Sequence, residues 1–206
     1  MEPQQEYPDK HTLTVIQTIK AVILKELGRL IYPANKNKSD VFEQSSPYIK
    51  FMPLVGCIEF LGACYDEQPF DSTRGDVKDI VERRFNKAIK ELFPKSYHPF
   101  AKANHKFYLY GKLRCPLIHQ LKPGPGIYFT TRFESKQDNT EHLKEFETGK
   151  LILVLEDFYD DLEKASLDLI NKFETKKITN KKGESGFLDI IKIKKEDKNV
   201  TKSRTA

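Results

Sequence analysis

Residues 51–65 are apolar at almost every position and, wound as a helix, leave no polar face. A helix that is apolar all round has to be covered on all sides. The run is too short to cross a bilayer, and it contains one charge, Glu59. It therefore predicts a helix buried on most sides. Ser46-Pro47 offers an N-cap followed by a proline at the first helical position, so this helix is expected from Pro47 to about Tyr65, with Pro53 as a kink or an alternative start. A carboxylate on such a helix should not stand unpaired.

Other helices follow from apolar spacing. Ile16, Ile19, Ile23, Leu27 and Leu30 form a stripe within a helix expected over about His11 to Ile31, ended by Pro33. Asp76 is positioned to cap a third helix with Val77, Ile80, Val81, Phe85, Ile89 and Leu92 turned inward, stopped by Pro94. His98-Pro99 opens a fourth, whose stripe runs Phe100, Ala103, Phe107, Tyr110, Arg114, Leu117, Leu121. Phe158, Leu162, Ala165, Leu169 and Phe173 mark a fifth. Between the last two, the helical pattern breaks at Lys122-Pro-Gly-Pro-Gly126. Residues 127–132 and 150–155 then read as β-strands, expected to pair antiparallel. Residues 187–193 read as a late strand among lysines. The expected fold class is mainly α: a helical bundle of about five helices with an inserted β-hairpin.

With 206 residues, the chain has room for one core and an appendage. Residues 175–206 hold ten Lys/Arg and four Asp/Glu, a balance of +6 against +5 for the whole chain, which leaves the remainder at −1. The expected organisation is a single helical domain over residues 1–174, with the hairpin at about 127–155, and a basic extension over 175–206. That extension is read as solvated and partly disordered, with attraction to polyanions as the alternative. Met1 to Lys10 is polar, without the apolar core of a signal peptide, and three cysteines form no paired framework. Both features point to a reducing, cytoplasmic setting without a membrane. Cys57 and Cys64 share roughly one helical face and are read as small buried hydrophobes.

Arg114 is the one formal charge in the fourth helix's stripe. A guanidinium cannot escape burial by losing its proton, so it must find an anion. Glu59, equally isolated on its own helix, is the expected partner. His119 lies five residues on, with Pro116 between them, and imidazole can trade protons near neutral pH. On a straight helix the two would point about 140° apart. Arg114 and His119 are thus candidate catalytic residues, with Glu59 in support. Tyr108, Tyr110, Lys112 and Lys122 are candidate RNA contacts. The rings of Tyr108, Tyr110, Tyr128 and Phe129 suit base stacking or, as such residues more commonly do, core packing.

The remaining motifs carry less. His98 and His105 are spaced too widely on a helix for a metal pair, and no Cys-x-x-Cys group is present, so no metal or cofactor is expected. Lys122 to Gly126 lacks the Gly-Lys-Ser/Thr ending of a phosphate loop and reads as a turn. Glu156, Asp157, Asp160 and Asp161 gather at the start of the fifth helix, where acids favour the helix dipole. A solvated helix start is the expectation, with a divalent-ion site as the alternative.

A helix reading Leu-Tyr-x-x-Leu-Arg-(four residues)-His, here Leu109 to His119, within a small helical bundle resembles the HEPN superfamily. The likeness in organisation extends over about residues 47–175. It implies a bundle that often dimerises, with the Arg and His of both subunits meeting in one cleft. Active members are metal-independent endoribonucleases, and others bind RNA or nucleotides without cleaving. Arg114 and His119 would be the family's pair. Cys115 stands where the family usually has a polar residue, and Pro116 follows it. The expectation is a HEPN-like endoribonuclease of toxin or phage-defence type, acting as a homodimer with a possible antitoxin partner. The alternative is a non-catalytic RNA- or nucleotide-binding or dimerisation module.

Overall fold

The computed structural model describes residues 12–33, 47–72, 75, 77–146, 149–178, 182 and 186–189. The architecture is mainly helical, as expected, with a small sheet at one side. Its centre is α3, Pro47–Tyr65, whose Phe51, Leu54, Val55, Ile58, Leu61 and Cys64 have no exposed surface. The helix runs through Pro53 from its start at Pro47. By length and composition it could cross a bilayer; most of its apolar residues lie in or against the core, with Tyr48 and Ile49 exposed at its start.

Against α3 packs α4, Ile80–Glu91, with Phe85, Ala88 and Ile89 buried. The two backbones approach so closely at Gly62 that a Cβ there would sit 1.9 Å from the Arg84 carbonyl oxygen. Asp79, in the left-handed region at φ 55°, occupies the N-cap position in place of the expected Asp76, which lies outside the described residues.

The first helical segment covers residues 15–31: α1, Val15–Thr18, a π-helical stretch Ile19–Leu27, and α2, Gly28–Ile31. A capping box between Thr14 and Gln17 starts it later than the His11 expected. Its buried stripe is Val15, Ile19, Ile23, Leu27 and Ile31, one residue in every four. An α-helix turns about 100° per residue, so such a stripe would creep by about 40° at each step. The wider π turn slows that rotation and holds the stripe on one face. Its displaced carbonyls are met by Tyr159, whose hydroxyl donates to the oxygens of Ile23 and Leu24, both at 3.2 Å. Gly28 leaves room for that hydroxyl, which would lie 2.7 Å from a Cβ.

The expected fourth helix is not continuous. Lys95–Ala101 is a 3-10 helix, residues 102–108 are turns, and helix resumes as the π turn Tyr110–Arg114 and α5, Cys115–Gln120. His105 Nδ1 accepts from the Phe107 amide at 3.1 Å, a local bond that competes with helix formation. Ala103 is exposed, Leu121 is in the left-handed region, and the inward positions after the break are Tyr110, Leu113 and Leu117.

The sheet also departs from expectation. β2, Ile127–Thr130, pairs in parallel with β4, Lys150–Val154, where an antiparallel hairpin was expected. A capping box between Thr131 and Glu134 starts the short α6, Arg132–Gln137, immediately after β2 and turns the chain away. The chain returns through β3, Glu145–Phe146, which pairs antiparallel with β4. β4 feeds directly into α7, Leu155–Glu174, which packs on α3 and on the first helical segment. A late strand, β5, Gly186–Asp189, pairs antiparallel with β1, Thr12–Thr14. The rest of the expected strand, residues 190–193, lies outside the described residues.

Candidate functional site

Pro116 has no amide proton, so a carbonyl one turn earlier loses its helical partner. That carbonyl, on Lys112, instead accepts from the Gly124 amide at 2.7 Å. The Pro-Gly-Pro-Gly turn is thereby clipped across the helix it follows. A Cβ on Gly124 would meet the same carbonyl oxygen at 2.9 Å and the Pro116 ring at 3.2 Å. The turn before Pro116 widens as well, with the Cys115 amide bonding back to the Tyr110 carbonyl, five residues away.

Arg114 closes this wide turn and faces α3. Its Nη2 and Nε donate to the same Glu59 oxygen, Oε2, at 2.7 and 3.2 Å. The expected pair is therefore formed, on side chains 15% and 27% exposed. The guanidinium carbon lies 5.7 Å from the centre of the Tyr110 ring, which itself meets Phe85 edge-on. Carboxylate on one side and ring on the other hold the cation in a single orientation.

His119, five residues on in α5, is exposed to solvent. On regular helix geometry a residue five positions after Arg114 lies about 140° round the helix from it. Ile118 and Leu121 beside it are exposed apolar side chains, the latter at 65%. The Tyr108 hydroxyl donates to Glu82 and accepts from the Asn86 amide at 2.7 Å. Burial and the Glu82 acceptor raise its pKa above the usual tyrosine value. Tyr110 is buried and presents no face for stacking, Lys112 is half-buried and Lys122 exposed.

A second polar cluster has no counterpart in the sequence reading. The Val154 amide donates to His142 Nδ1 at 2.9 Å, which leaves the imidazole proton on Nε2, facing the Tyr97 oxygen at 2.8 Å. Tyr97, fully buried, donates in turn to Asp161 Oδ2 at 3.1 Å. Burial pushes His142 down to about 4, although Asp157 and Asp161 act the other way. Close by, Arg132 bridges Asp157 and Asp160, and its backbone amide donates to Glu156. The acids at the start of α7 are thus engaged in ion pairs and hydrogen bonds, where a solvated helix start was expected. Nothing in the spacing of residues 97, 142 and 161 announces this convergence, which depends on three separate elements.

Among the described residues the most buried arginine is Arg84, 5% exposed. Its Nε donates to Asp66 at 2.9 Å, and its other nitrogens donate to the carbonyls of Gln68, Pro69 and Phe70. Lys182 reaches Asp66 from the opposite side at 2.8 Å. Among the described residues, no group of three or more His, Cys, Asp or Glu side chains is arranged to hold a metal. Comparison with known proteins finds no matching family model, no matching curated protein and no matching solved structure.

Proposed function

We propose that this chain is a HEPN-like, metal-independent endoribonuclease that acts as a homodimer. One observation carries the reading: a guanidinium held in place by Glu59, followed on the same short helix by a solvent-facing imidazole. RNA brings its own nucleophile, the 2′-OH. Cleavage then needs a base for that proton, an acid for the leaving 5′ oxygen, and positive charge at the phosphoryl oxygens. Arg114 supplies the charge and Glu59 orients it. With His119 about 140° round a regular helix from Arg114, the reading takes a second copy to bring its imidazole to the phosphate. Exposed Ile118 and Leu121, flanking His119, are the kind of surface such a contact would cover. A toxin or phage-defence role with an antitoxin partner belongs to the same reading.

A second reading rests on the Glu59 contact. Glu59 takes both Nε and Nη2, one full edge of the guanidinium, and this favours RNA or nucleotide binding without cleavage. The replacement of the family's polar residue by Cys115 points the same way.

The test is incubation of purified protein with mixed RNA in EDTA. Wild type is expected to leave 2′,3′-cyclic phosphate ends, and His119→Ala to lose about 100-fold or more of the activity. Equal cleavage by the two proteins overturns the assignment of His119. Intact RNA that is nonetheless bound selects the second reading.

A further inference from the structure

We propose that the open groove along α4 is a track for single-stranded RNA, gripped at its phosphodiester backbone by Arg83, Lys87 and Lys90. The proposal rests on the RNA reading above and adds a second place on the molecule where the strand is held. The groove, about 850 Å³, lies between the segment 66–68 and the polar face of α4. Its three cations are spaced four and three residues apart and so form one stripe. At about 1.5 Å of rise per residue, the stripe covers about 10 Å of helix. That length suits a polymer of phosphates better than a single nucleotide.

None of the three cations forms a salt bridge with a described residue. Lys87 Nζ rests 5.1 Å from the centre of the Tyr65 ring, a contact that leaves its charge available. Arg84, by contrast, is turned inward to Asp66. Five acids also line the groove: Asp66 is held by Arg84 and Lys182, Glu67 and Asp79 stand at its 66–68 edge and at the start of α4, and Glu82 and Glu91 flank the stripe on α4 itself, each about a quarter turn to one side. Glu82 and Glu91 are each turned toward a tyrosine hydroxyl, of Tyr108 and Tyr65 respectively. The positive strip is therefore one strand wide, and the second strand of a duplex would lie over carboxylates.

One hydrogen-bonded side chain links the groove's flank to the segment that leads into the candidate site. Tyr108, which binds Glu82 and Asn86 on the groove's flank, stands two residues before Tyr110, on whose ring Arg114 rests.

The test is fluorescence anisotropy with a labelled 15-nucleotide oligouridylate and with a duplex RNA of equal length, each over a range of salt. The full chain is compared with Arg83→Gln/Lys87→Gln/Lys90→Gln and with a control, Lys20→Gln/Lys25→Gln/Lys164→Gln, whose sites lie elsewhere on the surface. Circular dichroism and thermal melts establish that both variants are folded. The expected result is a loss of affinity of about tenfold or more in the groove variant alone, with the slope of log K against log salt falling by about 2. Wild-type affinity and slope in the groove variant overturn the track while leaving the RNA reading intact. Absence of any RNA binding by wild type overturns both. Tighter binding of the duplex overturns the single-strand assignment.

Discussion

His142 and His119 show how differently one residue type is used in this chain. His119 projects from a helix into solvent, whereas His142 is clamped between the Val154 amide and the Tyr97 hydroxyl. A proton added to His142 would have to enter at Nδ1, where it meets the Val154 N–H. Burial therefore lowers its folded pKa to about 4, against about 6.5 for an unfolded histidine. Between those values the unfolded chain binds more protons, so stability rises with pH across the window. The contribution is complete above about pH 6.5, is lost as pH falls through about 4, and amounts to about 3 kcal/mol at most. Urea midpoints measured at pH 4.5 and 7 are expected to differ more in wild type than in His142→Asn. Equal differences would mean that this imidazole does not set the acid limb.

At the scale of elements, departures from regular geometry coincide with identifiable residues. The wide turn before α5 is tied to Pro116 and to the Gly124 amide that takes over the freed carbonyl. The π stretch of the first helical segment is tied to Tyr159 and Gly28. The approach of α3 to α4 depends on Gly62, where a side chain would collide with backbone that cannot rotate away. Gly62→Ala is expected to cost about 3 kcal/mol, and Gly56→Ala, with nothing within 4 Å of the added carbon, to be neutral or mildly stabilising. Chemical denaturation of the two variants checks this, and similar stabilities would contradict the close contact.

For the whole molecule, the end of the described chain is bound back to its beginning and to its core. β5 pairs with β1, and Lys182 donates to the Ala63 carbonyl near the end of α3 as well as to Asp66. A chain ended at Lys182 keeps the lysine and loses the strand. Its loss is expected to cost about 1 kcal/mol, a fall in Tm of about 2–4 °C, with faster amide exchange at Leu13 and Thr14. An unchanged Tm together with unchanged exchange would show that the pairing contributes nothing to the fold.

Composition and periodicity by themselves determined the mainly helical class, the central helix from Pro47 to Tyr65 and the pairing of Glu59 with Arg114. These depend on local spacing and on the cost of burying a lone charge. The parallel pairing of β2 and β4 was partly legible. Residues 151–154 are apolar without alternation and buried throughout, as suits a strand covered on both faces. Tertiary structure alone decided the breaking of the fourth helix, the inward turn of Arg84 rather than Arg83, and the Tyr97–His142–Asp161 chain. The last two arise from groups far apart along the backbone that satisfy one another's hydrogen bonds only once the helices have packed, and the first from a local His105–Phe107 bond that apolar spacing does not reveal.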